Sequence, residues 1–187
     1  VMYFGLSAAA ARVIKKYVSV GRAPAIAGKL FAGQWGGTMC LTEAGAGSSV
    51  GDNRTKATPT DERGVFMIEG EKIFITGGDS NMVENICHLV LARTPGSPEG
   101  TKGLSLFLVP KFWFDPDTLE LGERNGAHVL KLEHKMGING SATCVLGLGT
   151  RSPCKGWLIG DERDGIKMMF DMMNEARLGV GLQGLAI

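Results

Sequence analysis

Residues 41–50 read Leu-Thr-Glu-Ala-Gly-Ala-Gly-Ser-Ser-Val, and they complete the apolar run Thr-Met-Cys-Leu at 38–41. Glycines let a ligand approach the backbone closely, and the N–H groups and hydroxyls of such a loop suit an oxyanion such as pyrophosphate. Gly45 and Gly47 begin like a dinucleotide-binding fingerprint, but Val50 stands where that motif requires its third glycine. No Gly-Lys-Ser/Thr follows, which excludes a Walker loop. The stretch predicts either a phosphate-binding loop of another geometry or an ordinary surface turn.

The composition of the chain is that of an ordinary globular protein. Its 187 residues are 44% hydrophobic and 21% charged, and the formal net charge is +1. A charge so close to neutral, without aromatics interleaved among basic residues, argues against a nucleic-acid partner or an anionic membrane surface. The longest apolar stretches, such as residues 104–110, are too short to span a bilayer.

The four cysteines predict no metal site. They stand at Cys40, Cys87, Cys144 and Cys154, form no Cys-x-x-Cys pair, and have no histidine at metal-ligand spacing. The first three lie among apolar neighbours, where a thiol packs as a small hydrophobic group. Free thiols are typical of a reducing compartment, so the expected location is cytoplasmic.

Hydrophobic periodicity divides the chain into three zones. Residues 7–20 and 23–31 have helical spacing and predict a short helical lead-in. From about residue 37 to residue 160 the pattern is strand-like, with a glycine-bearing turn expected at 69–71. Such short strands at regular intervals predict a mainly antiparallel sandwich or small barrel. The expected strands cover residues 65–68, 72–76, 88–93, 103–110, 128–134 and 143–148.

The last zone, residues 165–187, returns to helical spacing. Its apolar stripe runs through Ile166, Met169, Phe170 and Met173 and continues through Leu178, Leu182 and Leu185. No stop signal ends this stripe, so we expect the chain to be a piece of a longer protein. The expected class is an α+β fragment. Its expected parts are 1–36, the end of a helical domain; 37–160, the β domain; and 161–187, the start of a helical bundle.

Four segments in this order resemble the acyl-CoA dehydrogenase family. Residues 39–48 are similar to its Leu-Thr-Glu-Pro-Gly-Ala-Gly-Ser-Asp signature, and residues 69–78 to its strand ending in Ile-Thr-Asn/Gly-Gly. Residues 133–141 and 165–177 resemble two later segments, and the extended form of the chain is most similar to the larger bacterial members. Ala44 replaces the usual proline and Ser49 the usual aspartate. Residues 147–156 fit the family poorly and are expected to form a divergent loop.

The resemblance implies a helical domain, a β-barrel-like middle domain and a four-helix bundle. It implies FAD in a cleft between the last two, completed in part by a second subunit of a homodimer or homotetramer. Acyl-CoA is the implied substrate, and electron-transfer flavoprotein is the implied electron acceptor.

The resemblance also assigns site residues. Thr42 would lie near the flavin pyrimidine edge, Thr76 near N5, and Phe74 against the ring system, where an aromatic offers a flat apolar face. Ser48 would also lie near the acyl thioester. The implied flavin contacts are Met39, Leu41, Thr42, Gly47, Ser48, Phe74, Ile75 and Thr76, and the implied substrate contacts are Ser48, Asn174 and Arg177.

The implied reaction is α,β-dehydrogenation of an acyl-CoA, in which a carboxylate takes the α-proton and the flavin accepts a hydride from the β-carbon. Most family members supply that carboxylate from the bundle, beyond Ile187. A minority place it immediately before the arginine, where this chain has Ala176. Glu175 stands one residue earlier, about 100° around the helix. We therefore expect Glu175 to point elsewhere, as a solvated or subunit-facing carboxylate or a partner of Arg177. The catalytic base stays unassigned, with Glu175 as the weak candidate.

Two other functions fit the same residues. A flavin-dependent acyl-CoA oxidase would share every motif above. A non-catalytic β domain used for assembly or cofactor-free binding would need none of them to contact a flavin.

Overall fold

The computed structural model describes residues 2–18 and 22–186. Within these residues the chain has a mixed α+β fold of three helices and ten strands. The helices are α1 (Met2–Tyr17), α2 (Ala23–Phe31) and α3 (Gly165–Leu185). The strands are β1 (Trp35–Cys40), β2 (Lys56–Pro59), β3 (Val65–Thr76), β4 (Asn85–Arg93), β5 (Leu104–Pro110), β6 (Phe112–Phe114), β7 (Leu121–Arg124), β8 (Ala127–Leu132), β9 (Thr143–Leu148) and β10 (Lys155–Ile159).

Eight of the strands form one mostly antiparallel sheet. Its order is β1-β4-β5-β10-β3-β9-β8, and β2 pairs with both β3 and β4. The β1–β4 pair is parallel, whereas β4 and β5 pair antiparallel from Cys87 opposite Pro110 to Arg93 opposite Leu104. The β domain flanked by helices is confirmed, as is the predicted pairing of 88–93 with 103–110. The sandwich or barrel form and the domain boundaries stay predictions.

Strand β3 corrects the prediction of two strands joined by a turn at residues 69–71. It is one continuous strand of 12 residues, whose first half pairs with β2 and β10 and whose second half pairs with β9. Gly70 has φ +153°, and a Cβ placed there would lie 2.6 Å from the Thr55 hydroxyl oxygen. The glycine therefore marks a close approach of two chain segments inside a strand, which the sequence pattern presents as a turn.

Strand β10 corrects a second expectation, since residue 155 begins a strand inside the segment that was expected to be a loop. The strand lies between β5 and β3, with Trp157 paired opposite both. Trp157 also stacks on Trp113, with ring centroids 3.8 Å apart. Tertiary pairing thus makes a strand of five residues that have no clear alternation of their own.

The helices pack on the sheet through small and flexible side chains. Ala10 and Ile14 of α1 are fully buried, and a Cβ on Gly37 of β1 would lie 2.6 Å from the Ala10 Cβ. On α3 the buried positions are Gly165, Met168, Met169 and Met172. Positions 19 and 20 of the predicted first helix, and Ile187 of the last, lie outside the described residues.

The predicted apolar stripe of α3 is therefore only partly right. Met169 is buried as predicted, but Phe170 is 46% exposed. Leu178, Leu182 and Leu185 are 77%, 67% and 84% exposed. The periodicity correctly predicts the helix, but only its first half has described structure to pack against.

All four cysteines are buried free thiols. Burial raises the pKa of Cys40 and Cys87 to about 12, so both stay neutral and pack as small apolar groups. Among the residues that the structure describes, no helix is both long enough and apolar enough to cross a membrane.

Candidate functional site

The glycine-rich stretch forms a tight loop directly after β1. Glu43 and Ala46 close it with two backbone bonds, of 3.3 Å from Glu43 N–H to Ala46 O and 3.0 Å in the reverse direction. Gly47 and Ser48, which follow, are exposed. The Ile73 N–H donates to Thr42 O at 2.8 Å, so the start of the loop is joined to the second half of β3.

Glu43 anchors this loop from inside. Its carboxylate accepts hydrogen bonds from the Arg54 N–H at 2.7 Å, the Thr55 N–H at 3.0 Å and the Thr55 hydroxyl at 2.6 Å. It also forms an ion pair of 2.8 Å with the Lys72 ammonium. From the sequence this carboxylate could equally be a solvated turn residue; in the structure it holds two chain segments together.

Lys72 completes the anchor and has no exposed side-chain surface. Besides Glu43, its ammonium donates to Leu41 O at 3.1 Å and to Asn53 Oδ1. We call Glu43, Lys72 and Asn53 the loop anchor. Counting by two from buried Ile68 through Gly70 places Lys72 on the inward face of β3, and this alternation is the sequence signal that could have found it.

The charges of the loop anchor stabilise each other. Desolvation by itself raises the pKa of Glu43, but the Lys72 ammonium and the hydrogen bonds from Lys72, Thr55 and Arg54 outweigh it and hold the pKa below its ordinary value. Burial lowers the pKa of Lys72 because the charged form loses water, and Glu43 opposes part of that decrease. Both pKa values are therefore lowered, but for different reasons: pairing and hydrogen bonds outweigh burial at Glu43, whereas burial outweighs pairing at Lys72. The four bonds to the Glu43 carboxylate support an ionised pair.

Arg93, at the end of β4, fixes the chain that follows the loop. Its guanidinium donates to Asn53 O, Pro98 O and Gly100 O, each at 2.8 Å, and also to Gly51 O. These carbonyls belong to two separate loops. The arginine therefore ties the segment around residue 51 to the segment around residue 100.

Phe74 occupies an unusual backbone conformation. The register of β3 against β9 shifts between Lys72 and Ile75, and within this bulge Phe74 has φ +59°. A non-glycine residue in the left-handed region carries a conformational cost. In return the bulge leaves the Phe74 side chain 61% exposed, while the next residue, Ile75, is only 2% exposed. The bulge thus turns one aromatic ring of a buried strand outward.

That ring lines the first cleft, a mainly apolar cavity of about 760 Å³ between the sheet and two helices. Met39, Phe74 and Thr76 form its sheet wall. Its helical wall comes from α1, including Leu6 and Arg12, and from residues 174–176, 178–180, 182 and 183 of α3.

Ion pairs join the two helices beside the first cleft. Arg12 Nε lies 2.8 Å from Glu175 Oε1, with the two side chains 66% and 30% exposed. A partnership with Arg177 was one of three roles open to Glu175 from the sequence, and the structure shows another partner: the Arg177 guanidinium donates to Asn174 Oδ1 at 2.9 Å. Glu175 was also expected to point elsewhere, yet it lines the first cleft.

A second groove, of about 620 Å³, runs between the glycine-rich loop and the first half of α3. Leu41, Ser48 and residues 49–52 line one side, and Gly100 and Thr101 extend it. The α3 side consists of Ile166, Met169, Phe170 and Met173.

The predicted site residues therefore divide between two cavities. Met39, Phe74, Thr76 and Asn174 meet in the first cleft, and Leu41 and Ser48 lie in the second groove. Thr42, Gly47 and Arg177 lie outside both linings. The Ile75 side chain packs in the core of the sheet. Sequence reasoning missed the loop anchor, whose members are bonded to one another in the interior.

Comparison with known proteins identifies the family of the chain. Residues 38–149 match the family model described as "Acyl-CoA dehydrogenase, middle domain". The chain is 54% identical over 154 residues to the broad-specificity linear acyl-CoA dehydrogenase FadE5 of Mycobacterium tuberculosis, covering 81% of this chain and 25% of that protein. It is 46% identical over 186 residues to a butyryl-CoA dehydrogenase of Syntrophomonas wolfei, covering 97% of this chain and 30% of that protein.

Comparison of the fold with solved structures also finds acyl-CoA dehydrogenases. The fold matches the butyryl-CoA dehydrogenase of Megasphaera elsdenii with a TM-score of 0.72 and 26% identity, over 98% of this chain and 45% of that one. The chain thus spans less than a third of the length of the two curated relatives. The family model covers more than half of the chain, and the two curated relatives are 46% and 54% identical to it in sequence. This chain belongs to the acyl-CoA dehydrogenase family, as its four motifs predicted.

Proposed function

We propose that this chain forms one side of the cofactor and substrate site of an FAD-dependent acyl-CoA dehydrogenase. The observation that carries the proposal is the first cleft, where Phe74 and Thr76 of β3 face Asn174 of α3 across an apolar space. Family membership supports the same chemistry. The relatives are much longer than this chain, so the activity proposed is that of the whole protein.

The residues on the sheet wall fit a flavin. An aromatic ring turned outward at positive φ offers a flat apolar surface, and the Thr76 hydroxyl in the same cleft can donate or accept a hydrogen bond. We assign the flavin contacts to Met39, Phe74 and Thr76, with backbone groups of Thr42, Gly47 and Ile75 as further contacts. When bound, FAD would supply the hydride-accepting chemistry of the reaction.

The second groove is assigned to the thioester end of an acyl-CoA. The exposed Ser48 hydroxyl and the backbone around Gly51 give its loop side polar character, whereas α3 contributes methionines and a phenylalanine. Ser48, predicted to contact both flavin and thioester, is assigned to the thioester, and Leu41, predicted as a flavin contact, is assigned to this groove instead. Arg177 and Asn174 hold each other on α3 and would orient substrate from that side.

The catalytic base is proposed to lie outside these 187 residues. Glu175 is the carboxylate of α3 that lines the first cleft, but Arg12 binds it at 2.8 Å. The Arg12 guanidinium thus occupies Glu175 Oε1, which directs this carboxylate toward α1. Replacing it with an amide, Glu175→Gln, is expected to leave kcat of the whole protein within about threefold, as for a group outside the chemistry. A loss of several orders of magnitude would instead identify Glu175 as the base.

The substrate is proposed to be a linear acyl-CoA. Two curated relatives are butyryl-CoA and linear acyl-CoA dehydrogenases by name, and the apolar lining of the first cleft suits an unbranched chain. Electron-transfer flavoprotein is the proposed electron acceptor, and the proposed assembly is a homodimer or homotetramer. The four buried free thiols suit a reducing compartment, for which we propose the cytoplasm.

One titration tests the proposed function. The whole protein should purify yellow, and its flavin absorbance should bleach when butyryl-CoA is added without oxygen. Rapid reoxidation by oxygen alone would favour an acyl-CoA oxidase. A colourless protein that cannot be reconstituted with FAD would contradict both and favour a non-catalytic β domain.

A further inference from the structure

We propose that Lys72 is a positioning residue for both cavities, setting the place of the glycine-rich loop relative to the Phe74 bulge. The inference rests on the proposed function, which names the ligands of those cavities. It goes beyond that function because Lys72 itself lines neither cavity.

The bonds of Lys72 join three separate parts of the chain. One goes to Leu41 O at the end of β1, one to the carboxylate of Glu43 within the loop, and one to the side chain of Asn53 beyond it. Leu41 lines the second groove, and Asn53 directly follows the segment 49–52 that lines it as well. A single ammonium therefore fixes both ends of the loop side of that groove.

The same residue fixes the sheet wall of the first cleft. Phe74 and Thr76 follow Lys72 on β3 by two and four positions. The bulge that contains Phe74 lies between Lys72 and Ile75. The Ile73 N–H bonded to Thr42 O at 2.8 Å repeats the connection one residue further along. Any shift of the Lys72 side chain would thus move the loop relative to the outward ring.

Burial of this ion pair is costly, and stability alone does not account for it. Two ions taken out of water lose solvation that their attraction repays only in part, so an apolar pair of similar volume is often equally stable. Lys72 is 0% exposed and bonds to two residues at the start of the glycine-rich loop and to one residue beyond its end. That directional set suits fixed placement, which a methionine of similar length could not provide.

The test uses the whole protein and the double variant Lys72→Met/Glu43→Gln, which removes both charges together. Hydrogen exchange of residues 41–55 and 73–76 reports loop placement without any ligand. FAD affinity, the visible flavin spectrum, and kcat and KM for butyryl-CoA report the cavities. Lys29→Met is the matched control, because Lys29 forms an ion pair of 3.3 Å with Glu84, and neither residue lines either cavity.

We expect the double variant to fold cooperatively and to exchange faster in both segments. Its flavin spectrum should change, and kcat should fall about 100-fold, as for a displaced reacting geometry, with a smaller change in KM. Lys29→Met should stay within twofold of the unmodified protein in every readout. If the unmodified protein binds no FAD, the proposed function fails, and the exchange rates alone decide the positioning role.

Three results would overturn the proposal. Exchange and kcat of the double variant within twofold of the unmodified protein would show that Lys72 places nothing. A double variant that does not fold would show that the pair holds the whole β domain and is not specific to the cavities. Equal losses in Lys29→Met would show a general effect of removing a lysine pair.

Discussion

The sheet wall and the helical wall of the first cleft are held in different ways. Behind the sheet wall, Lys72 is fully buried and pairs with Glu43, whose side chain is 11% exposed. Beside the helical wall, the Arg12–Glu175 pair has side chains 66% and 30% exposed. Buried polar groups must be bonded in one arrangement, whereas exposed ones can exchange partners with water.

The apolar residues show the same contrast. Phe107 and Ile68 of the sheet are fully buried, whereas Leu178 and Leu185 of α3 are 77% and 84% exposed. A rigid wall suits the proposed cofactor, which would have to be oriented. The helical wall offers apolar surface for further packing. The difference teaches that the sheet side is preorganised by its own residues and that the α3 side is not.

The largest expected effect is on the sheet wall. Lys72→Met leaves the Glu43 carboxylate buried without its cation, which should lower the free energy of unfolding by about 3–5 kcal/mol. Urea denaturation of the whole protein, followed by tryptophan fluorescence, measures it. Lys29→Met removes a partly exposed pair and should cost no more than about 1 kcal/mol. Equal losses in the two variants would remove the contrast between the walls.

The next effect depends on pH. His88 of β4 is buried, its Nδ1 lies 2.7 Å from the Thr38 hydroxyl, and burial lowers its pKa from 6.5 to about 4. The unfolded chain therefore binds a proton below pH 6.5 that the folded chain binds only near pH 4. This contribution to stability is complete above pH 6.5 and is lost as the pH falls, by about 3 kcal/mol in total.

Urea denaturation at several pH values tests this expectation. His88→Asn keeps an acceptor for Thr38 and should show a flatter profile between pH 6.5 and pH 4 than the unmodified protein. The control is His128→Asn, since the Nε2 of His128 contacts the Ser152 hydroxyl at 3.1 Å and its side chain is partly exposed. A His88→Asn profile as steep as the unmodified one would contradict the assignment.

A smaller effect concerns the backbone of the bulge. Because Phe74 has φ +59°, glycine should suit the position better than any other residue. Phe74→Gly should be more stable than Phe74→Ala by about 1 kcal/mol in urea denaturation, although both remove the ring. Both variants should bind FAD more weakly than the unmodified protein. An alanine variant at least as stable as the glycine variant would show that the backbone there is not strained.

The smallest effect is expected on the helical wall. Arg12→Met removes the exposed pair with Glu175 and should lower the free energy of unfolding by less than about 1 kcal/mol, an amount that 1 M salt should largely abolish. The same measurement as for Lys72→Met checks it. A loss of several kcal/mol, insensitive to salt, would show that both walls are held alike.

Prediction from sequence worked where the signal is local. Residues 88–93 and 103–110 are short, largely apolar runs with turn residues between them, and they pair as β4 and β5. It failed at β3 and β10, because continuity through Gly70 and pairing along residues 155–159 depend on neighbours that are distant in sequence. At the site, the motifs led to Phe74 and Thr76 but not to the buried pair of Glu43 and Lys72.

The sequence by itself determined the family, the helical and strand-like zones, and the segments of β3 and α3 that line the first cleft. Motif spacing and hydrophobic period are written in neighbouring residues, so no folding is needed to read them. Only the tertiary structure decided that Lys72 is buried against Glu43, that Arg12 is the partner of Glu175, and that Phe74 turns outward on a bulge. Each of these depends on which distant segment lies opposite, and burial then decides whether a charge must be paired.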